Sequence, residues 1–255
     1  PRKELLNAAS RFAPFTAAPR RERTMPRLST IAFDADDTLW HNERFYQMTQ
    51  TRFAEMLADY ASRDHLAERL LAAERRNLGH YGFGIKGFML SMIETAIEVT
   101  DDRVPASVIR QIIAAGQEML GHPIELLPHA RQTVEALTGA YKLLLITKGD
   151  LLDQERKLAQ SGLGELFDAV EIVSDKSAGV YRDIFRRHGT VAERVMMVGN
   201  SLKSDVLPVL EAGGWAVHVP HDTTWAIEHA EAPVAHPRFR TLPDLGPLPK
   251  LVRGL

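Results

Sequence analysis

Two carboxylates, Asp34 and Asp36, stand two residues apart directly after the β-type run Thr30-Ile31-Ala32-Phe33. In an extended segment residues i and i+2 point to the same side, so both carboxylates can face one small volume while Ala35 packs behind them. Two anions that close repel and require a cation or a shared proton. A hard divalent ion such as Mg²⁺, bound by oxygen at about 2.0–2.1 Å, meets that requirement. Asp and Thr are also ordinary turn and cap residues, so Asp34 to Thr38 read alone is equally an acidic turn between a strand and a helix.

The elements that must position these residues follow from the apolar pattern. From Asn42 to about Met119 the spacing is helical, with Phe53, Met56, Leu57 and Tyr60, then Ile85, Phe88, Met89, Met92, Ile93 and Ala96. Four helices are expected there: Asn42 caps the first, Ser62 the second, Pro105 suits the opening turn of the fourth, and Gly121 with Pro123 ends it. Beyond Leu127, helical stretches alternate with short β-rich runs at 141–146, 169–173, 195–198 and 216–219. That alternation predicts βαβ units, and nearly unbroken apolar runs predict a parallel sheet covered on both faces. One strand therefore precedes an all-helical insertion and the rest of the sheet follows it.

Polar residues recur where these runs end: Thr147, Lys148, Gly149 and Asp150, then Lys176, then Gly199, Asn200, Ser201 and Asp205. In a parallel sheet the carboxyl ends of the strands share one edge, so these positions converge beside the first strand. Each alone reads equally well as a helix cap, a surface lysine or a turn. Their succession at one strand end after another is the signal.

With those residues in place, the chain resembles the haloacid dehalogenase-like (HAD) hydrolase superfamily, in the branch with a helical cap inserted after the first motif. Phe33-Asp34-Ala35-Asp36-Asp37-Thr38-Leu39 resembles the first motif, Leu144-Leu145-Ile146-Thr147 the second, Lys176 the third, and Val198-Gly199-Asn200-Ser201 through Asp205 the fourth. The resemblance covers residues 28 to about 220 and implies an α/β fold, a Rossmann-like parallel sheet core with an inserted α-helical cap domain. The expected division is a core of residues 25–41 and 126–255 and a cap of 42–125. It further implies that Asp34 is a nucleophile forming an aspartyl-phosphate and that Asp36 is the general acid and base. Thr147, Lys148 and Lys176 would bind the phosphate, and Asp34, the main-chain carbonyl of Asp36, Asn200 and Asp205 would hold Mg²⁺.

Three positions depart from the family pattern. Asp37 stands where Gly is commonest and adds a third carboxylate. Asn200 replaces the usual acidic ligand, so either its amide oxygen binds the metal directly with Asp205 acting through water, or Asp205 moves in. Lys148 follows Thr147 where Asn is common, as a cationic contact for phosphate or as an exposed lysine. The dehalogenase branch lacks an acidic residue at the position of Asp36, so the resemblance implies a phosphatase for a small soluble phosphomonoester. The alternatives are a phosphomutase, a phosphonate-cleaving enzyme with Lys86 as its cap lysine, and a noncatalytic phosphate- or metal-binding module.

The stretch His80 to Gly87 mixes glycines with aromatic and cationic side chains, and Tyr81, Phe83 and Lys86 are expected to shape specificity from the cap or else to pack within a helix connection. Residues 221–255 suggest no chemistry. A formal charge of -2 offers no general attraction to nucleic acid or an anionic membrane, which leaves small phosphorylated molecules as partners. The absence of cysteine removes disulfides and thiolate chemistry and fits a reducing, cytoplasmic setting. No apolar run approaches the roughly 20 residues that span a bilayer, and no secretory signal pattern is present, so the expected chain is neither inserted nor exported. Residues 1–24, Arg-rich and ahead of Met25, are expected to be a poorly ordered tail, with a docking arm as the alternative. Oligomeric state is open.

Overall fold

The strand that carries the two carboxylates at its end, β1 (Thr30–Phe33), is entirely buried and runs up the middle of a parallel sheet. The computed structural model describes residues 28–255, so the expected tail of residues 1–24 lies outside the described residues. β1 pairs on one side with β2 (Lys142–Lys148) and on the other with β4 (Val195–Gly199). The sheet extends through β3 (Ala169–Val173), β5 (Trp215–His218) and β6 (Phe239–Thr241) in the order β3-β2-β1-β4-β5-β6. β6 was not expected from the sequence: Phe239-Arg240-Thr241 is a short edge strand with no room for a periodic signal. β2 also runs past its expected end, which puts Thr147 and Lys148 in the strand itself.

Alternate residues along the strands serve two layers, as the period of two requires. Ile31, Phe33, Leu143, Leu145 and Val198 pack with Val134 of α5 (Ala130–Leu137) and Leu248 of α9 (Leu248–Arg253). Ala32, Leu144, Ile146 and Met197 pack with Tyr181, Ile184 and Phe185 of α7 (Ala178–Arg187). Each large aliphatic or aromatic side chain so buried contributes about 1.5–3 kcal/mol relative to exposure.

Between β1 and α5 stand four helices, α1 (Glu43–Met56), α2 (Arg63–Tyr81), α3 (Ile85–Val99) and α4 (Ala106–Gly121). Their apolar stripes meet one another in a separate core of Phe53, Leu57, Leu66, Leu70, Ile85, Phe88, Met92 and Ile112. Ser62 accepts a hydrogen bond from the His65 N–H and caps α2 as expected. Asn42 does not cap α1 with its side chain. The free N–H groups there are satisfied by Asp37, whose carboxylate accepts from the N–H of Asn42 at 2.8 Å and of Glu43 at 2.9 Å. Asp37 reaches them from a left-handed conformation, φ +59°, the backbone state that favours Gly and that Asp tolerates.

Candidate active site

Asp34 projects from the end of β1, its N–H held by the carbonyl of Val198 at 2.9 Å. Lys176, from the loop between β3 and α7, places Nζ 2.5 Å from Asp34 Oδ1 and 2.7 Å from Asp205 Oδ1. Asp205 comes from a π-helical turn, Leu202–Val206, and its Oδ2 accepts from the N–H of Ser201 at 3.0 Å. Gly199, the last residue of β4, permits this approach: a Cβ there would overlap the Asp205 carboxylate. Thr38 Oγ1 donates toward Asp34 Oδ2 at 3.2 Å and Asn200 Oδ1 at 3.3 Å, and accepts from the Asn200 N–H at 3.0 Å. Strand ends far apart in sequence are thereby tied into one cluster.

The charges in that cluster do not balance. Asp34, Asp205 and Lys176 are all nearly inaccessible to solvent and bring two carboxylates to one ammonium. Burial raises the Asp34 carboxyl to about 7 against the lowering pull of Lys176, with Asp205 adding repulsion. Burial also works against the Lys176 ammonium, yet Asp205 and Asp34 together outweigh it and hold its pKa well above the ordinary lysine value. Asp34, Asp36, Asn200 and Asp205 line the same cleft and offer it oxygen donors, a set suited to a hard cation. Both oxygens of Asp205 already have donors, whereas the Asn200 amide oxygen has one long contact, so Asn200 is the freer ligand.

Asp36 is secured differently. Its Oδ1 accepts from Trp40 Nε1 at 2.7 Å and Lys157 Nζ at 3.0 Å, and its Oδ2 from Gln154 Nε2 at 3.0 Å. Gln154 also donates to Thr147 Oγ1 at 2.8 Å, linking Asp36 to the end of β2. Gln154 and Lys157 lie on α6 (Leu151–Ser161), whose pattern is inverted: Asp153, Gln154 and Lys157 face inward while Leu151 and Leu152 are exposed. Gly149, at φ +141°, leaves room for Gln154, which a side chain there would crowd. Neither Gln154 nor Lys157 was expected from sequence, although the mismatch between Leu151-Leu152 and a helical apolar stripe was legible.

The cleft above these groups has a cavity volume of about 150 Å³ and opens to solvent between the strand ends and the helices inserted after β1. Of the three residues expected to shape specificity, Phe83 lines it; Tyr81 and Lys86 are absent from its wall. Tyr81 is half exposed and donates to Glu94 at 3.2 Å, and Lys86 pairs with Asp150 at 2.9 Å. Lys148 lines the cleft but is already engaged: Nζ lies 2.7 Å from both Ser204 Oγ and Glu228 Oε1, and 3.9 Å from the centre of the Phe83 ring. Thr223, Trp225 and Glu228 also form part of the wall, so residues 221–255 hold more of the site than expected. On the helical side the wall is acidic. Burial raises Glu43 to about 8, with repulsion from Asp37 and Glu74, and Glu74 to about 7, moderated by a hydrogen bond from Trp225.

Among the described residues no helix is long and apolar enough to cross a membrane. A haloacid dehalogenase-like family hydrolase from Xanthomonas campestris superposes with a TM-score of 0.80 at 41% identity, covering 89% of this chain and 91% of that one. The L-2-haloacid dehalogenase of Xanthobacter autotrophicus has the same fold at 18% identity, with a TM-score of 0.60 over 89% of this chain and 99% of that one. The glyceraldehyde 3-phosphate phosphatase of Methanothermobacter thermautotrophicus is 24% identical over 212 residues, 78% of this chain and 88% of that one. The haloacid dehalogenase-like hydrolase family model matches residues 28–213, a span that takes in Asp34, Thr147, Lys176 and Asp205, and the chain belongs to that family of hydrolases.

Proposed function

We propose that this hydrolase is a Mg²⁺-dependent phosphatase for a small phosphomonoester, working through an aspartyl-phosphate on Asp34. The observation that carries the reading is the Asp34 carboxylate, held at a strand end by Lys176 and Thr38 in a cleft that also holds Asp36. Support comes from the archaeal relative, whose name specifies a small phosphate ester. Small phosphorylated molecules in the cytoplasm are the expected substrates.

In this reading one carboxylate oxygen of Asp34 attacks phosphorus and the P–O bond to the leaving group breaks. Asp36 gives its proton to the departing alkoxide and then takes one from the water that hydrolyses the acyl phosphate, releasing inorganic phosphate. Lys157, Gln154 and Trp40 orient Asp36 for both transfers. Lys176 and the Thr147 hydroxyl act on the phosphoryl oxygens, where charge accumulates in the transition state. Asp34, the Asp36 carbonyl, Asn200 and Asp205 would hold Mg²⁺, which would supply positive charge to offset repulsion between the anionic nucleophile and the anionic ester. The helices from 42 to 125 act as a cap over the leaving group, with Phe83 and Trp225, 6.1 Å apart edge to face, at the substrate's side. Lys86 is absent from the cleft wall and is held by Asp150, and so lends no support to Schiff-base cleavage of a phosphonate.

Turnover of an aryl phosphate with Mg²⁺ and with EDTA tests the reading. Activity is expected only with Mg²⁺, and Asp34→Asn is expected to abolish it with an unchanged circular dichroism spectrum. Full activity in Asp34→Asn would exclude the proposed nucleophile.

A further inference from the structure

Beside the cleft, three side chains without a part in that chemistry converge: Asp37, His41 and His221 each bring one ligand-type atom to within 4.8 Å of the other two. Asp37 is buried and braced from behind by the two N–H groups at the start of α1, with its Oδ1 lying 3.6 Å from His221 Nε2. The rings of His41 and His221 stand edge to face, 5.6 Å apart. His41 Nδ1 is buried and has no hydrogen-bond partner, an uncommon state for a ring nitrogen. His221 Nδ1 accepts from the N–H of Thr223 at 3.3 Å and lies 3.0 Å from the carbonyl and 3.1 Å from the Oγ1 of the same residue. Thr223 thus holds the ring through Nδ1, and Nε2 is the nitrogen that faces Asp37. Metal-binding imidazoles are likewise oriented by contacts to their second nitrogen.

We propose that Asp37, His41 and His221 form a binding site for a transition-metal ion of the Zn²⁺ class, distinct from the oxygen-lined site at Asp34. Two imidazoles and a carboxylate suit Zn²⁺ and leave a fourth position for water, whereas Mg²⁺ favours oxygen ligands. Ligand atoms at about 2.0–2.1 Å from Zn²⁺ are roughly 3.3 Å apart in a tetrahedron, so binding draws the three side chains together from their present spacing. Arg44, a cation acting on His41, is ion-paired with Glu125, which reduces its opposition to a metal. His41 precedes α1, and His221 follows β5 on the segment that brings Trp225 and Glu228 to the cleft. An ion here therefore ties the base of the inserted helices to that segment.

The site does not depend on the phosphatase reading and is tested without an activity measurement. Metal-stripped full-length protein in excess Mg²⁺ is titrated with Zn²⁺ by calorimetry and with Co²⁺ by visible absorption, which reports tetrahedral nitrogen and oxygen ligation. One equivalent of Zn²⁺ is expected to bind. His41→Gln and His221→Gln should each weaken it by at least about tenfold, the scale on which even outer-shell changes act. Both histidines are partly exposed, so the variants are expected to fold, which their metal-free urea midpoints check. Zn²⁺ should raise the thermal midpoint of the wild type and not of His221→Gln. Asp34→Asn should bind Zn²⁺ as the wild type does. No stoichiometric Zn²⁺ binding, binding by both histidine variants as tight as that of the wild type, or loss of binding in Asp34→Asn alone would each overturn the proposal.

Discussion

Replacing Lys176 with Met keeps most of the side chain's length and removes the positive charge that contacts both Asp34 and Asp205. Nζ lies 2.5 Å from one carboxylate and 2.7 Å from the other. At an effective dielectric of about 20, each contact represents roughly 6 kcal/mol of attraction before desolvation is charged against it. Removing one partner of a buried pair typically costs about 3–5 kcal/mol net, because the remaining charge stays buried without compensation. With a urea slope of about 2–3 kcal/mol/M, the unfolding midpoint of Lys176→Met in EDTA should fall by about 1–2 M at pH 8. The deficit should shrink toward pH 5. Without the ammonium, the folded-state pKa of Asp34 moves further above about 7, so the native state gains protons relative to the unfolded chain as pH falls. Millimolar Mg²⁺ should stabilise the variant more than the wild type, because a cation then replaces the charge that was lost. Lys176→Arg separates charge from packing and should be less destabilised than Met. Circular dichroism across a urea series measures all of this. A midpoint for Lys176→Met equal to the wild type in EDTA would refute the buried-charge argument, and an equal Mg²⁺ response in the two proteins would refute a cation site between those carboxylates.

Lys157→Met removes a contact to Asp36 while leaving Gln154 and Trp40 in place, so kcat for an aryl phosphate should fall roughly 10- to 100-fold through misplacement of Asp36. Steady-state kinetics check this, and an unchanged kcat would remove Lys157 from the positioning of Asp36. Glu74→Gln should alter the pH dependence of stability in a defined direction. The Glu74 carboxyl is raised from 4.5 to about 7 by burial, so between those values the unfolded chain ionises first and wild-type stability falls as pH rises. The variant escapes that loss and should be more stable than wild type by up to about 3 kcal/mol at pH 8 and little different at pH 4.5. Urea titrations at the two pH values read the difference, and the same difference at both would disprove the assignment.

What was legible from residue order alone is the part of the protein whose geometry is local or topological. Asp34 and Asp36 could be placed because an extended strand fixes where i and i+2 point. Lys176, Asn200 and Asp205 could be placed beside them because parallel strands deliver their carboxyl ends to one edge. The helical insertion was legible because the spacing of Ile85, Phe88, Met92 and Ala96 repeats with the helical turn, and those residues are buried. Tertiary structure alone decided which distant groups meet. Lys148 finds Glu228 across 80 positions, and Lys157 reaches Asp36 across 121. Tertiary packing also engages Tyr81 with Glu94 and Lys86 with Asp150, and brings His221 to Asp37. Such pairings depend on how segments without a common period come to rest on the finished sheet, and the energy that selects them, burial and charge pairing between remote side chains, leaves no local spacing from which to read it.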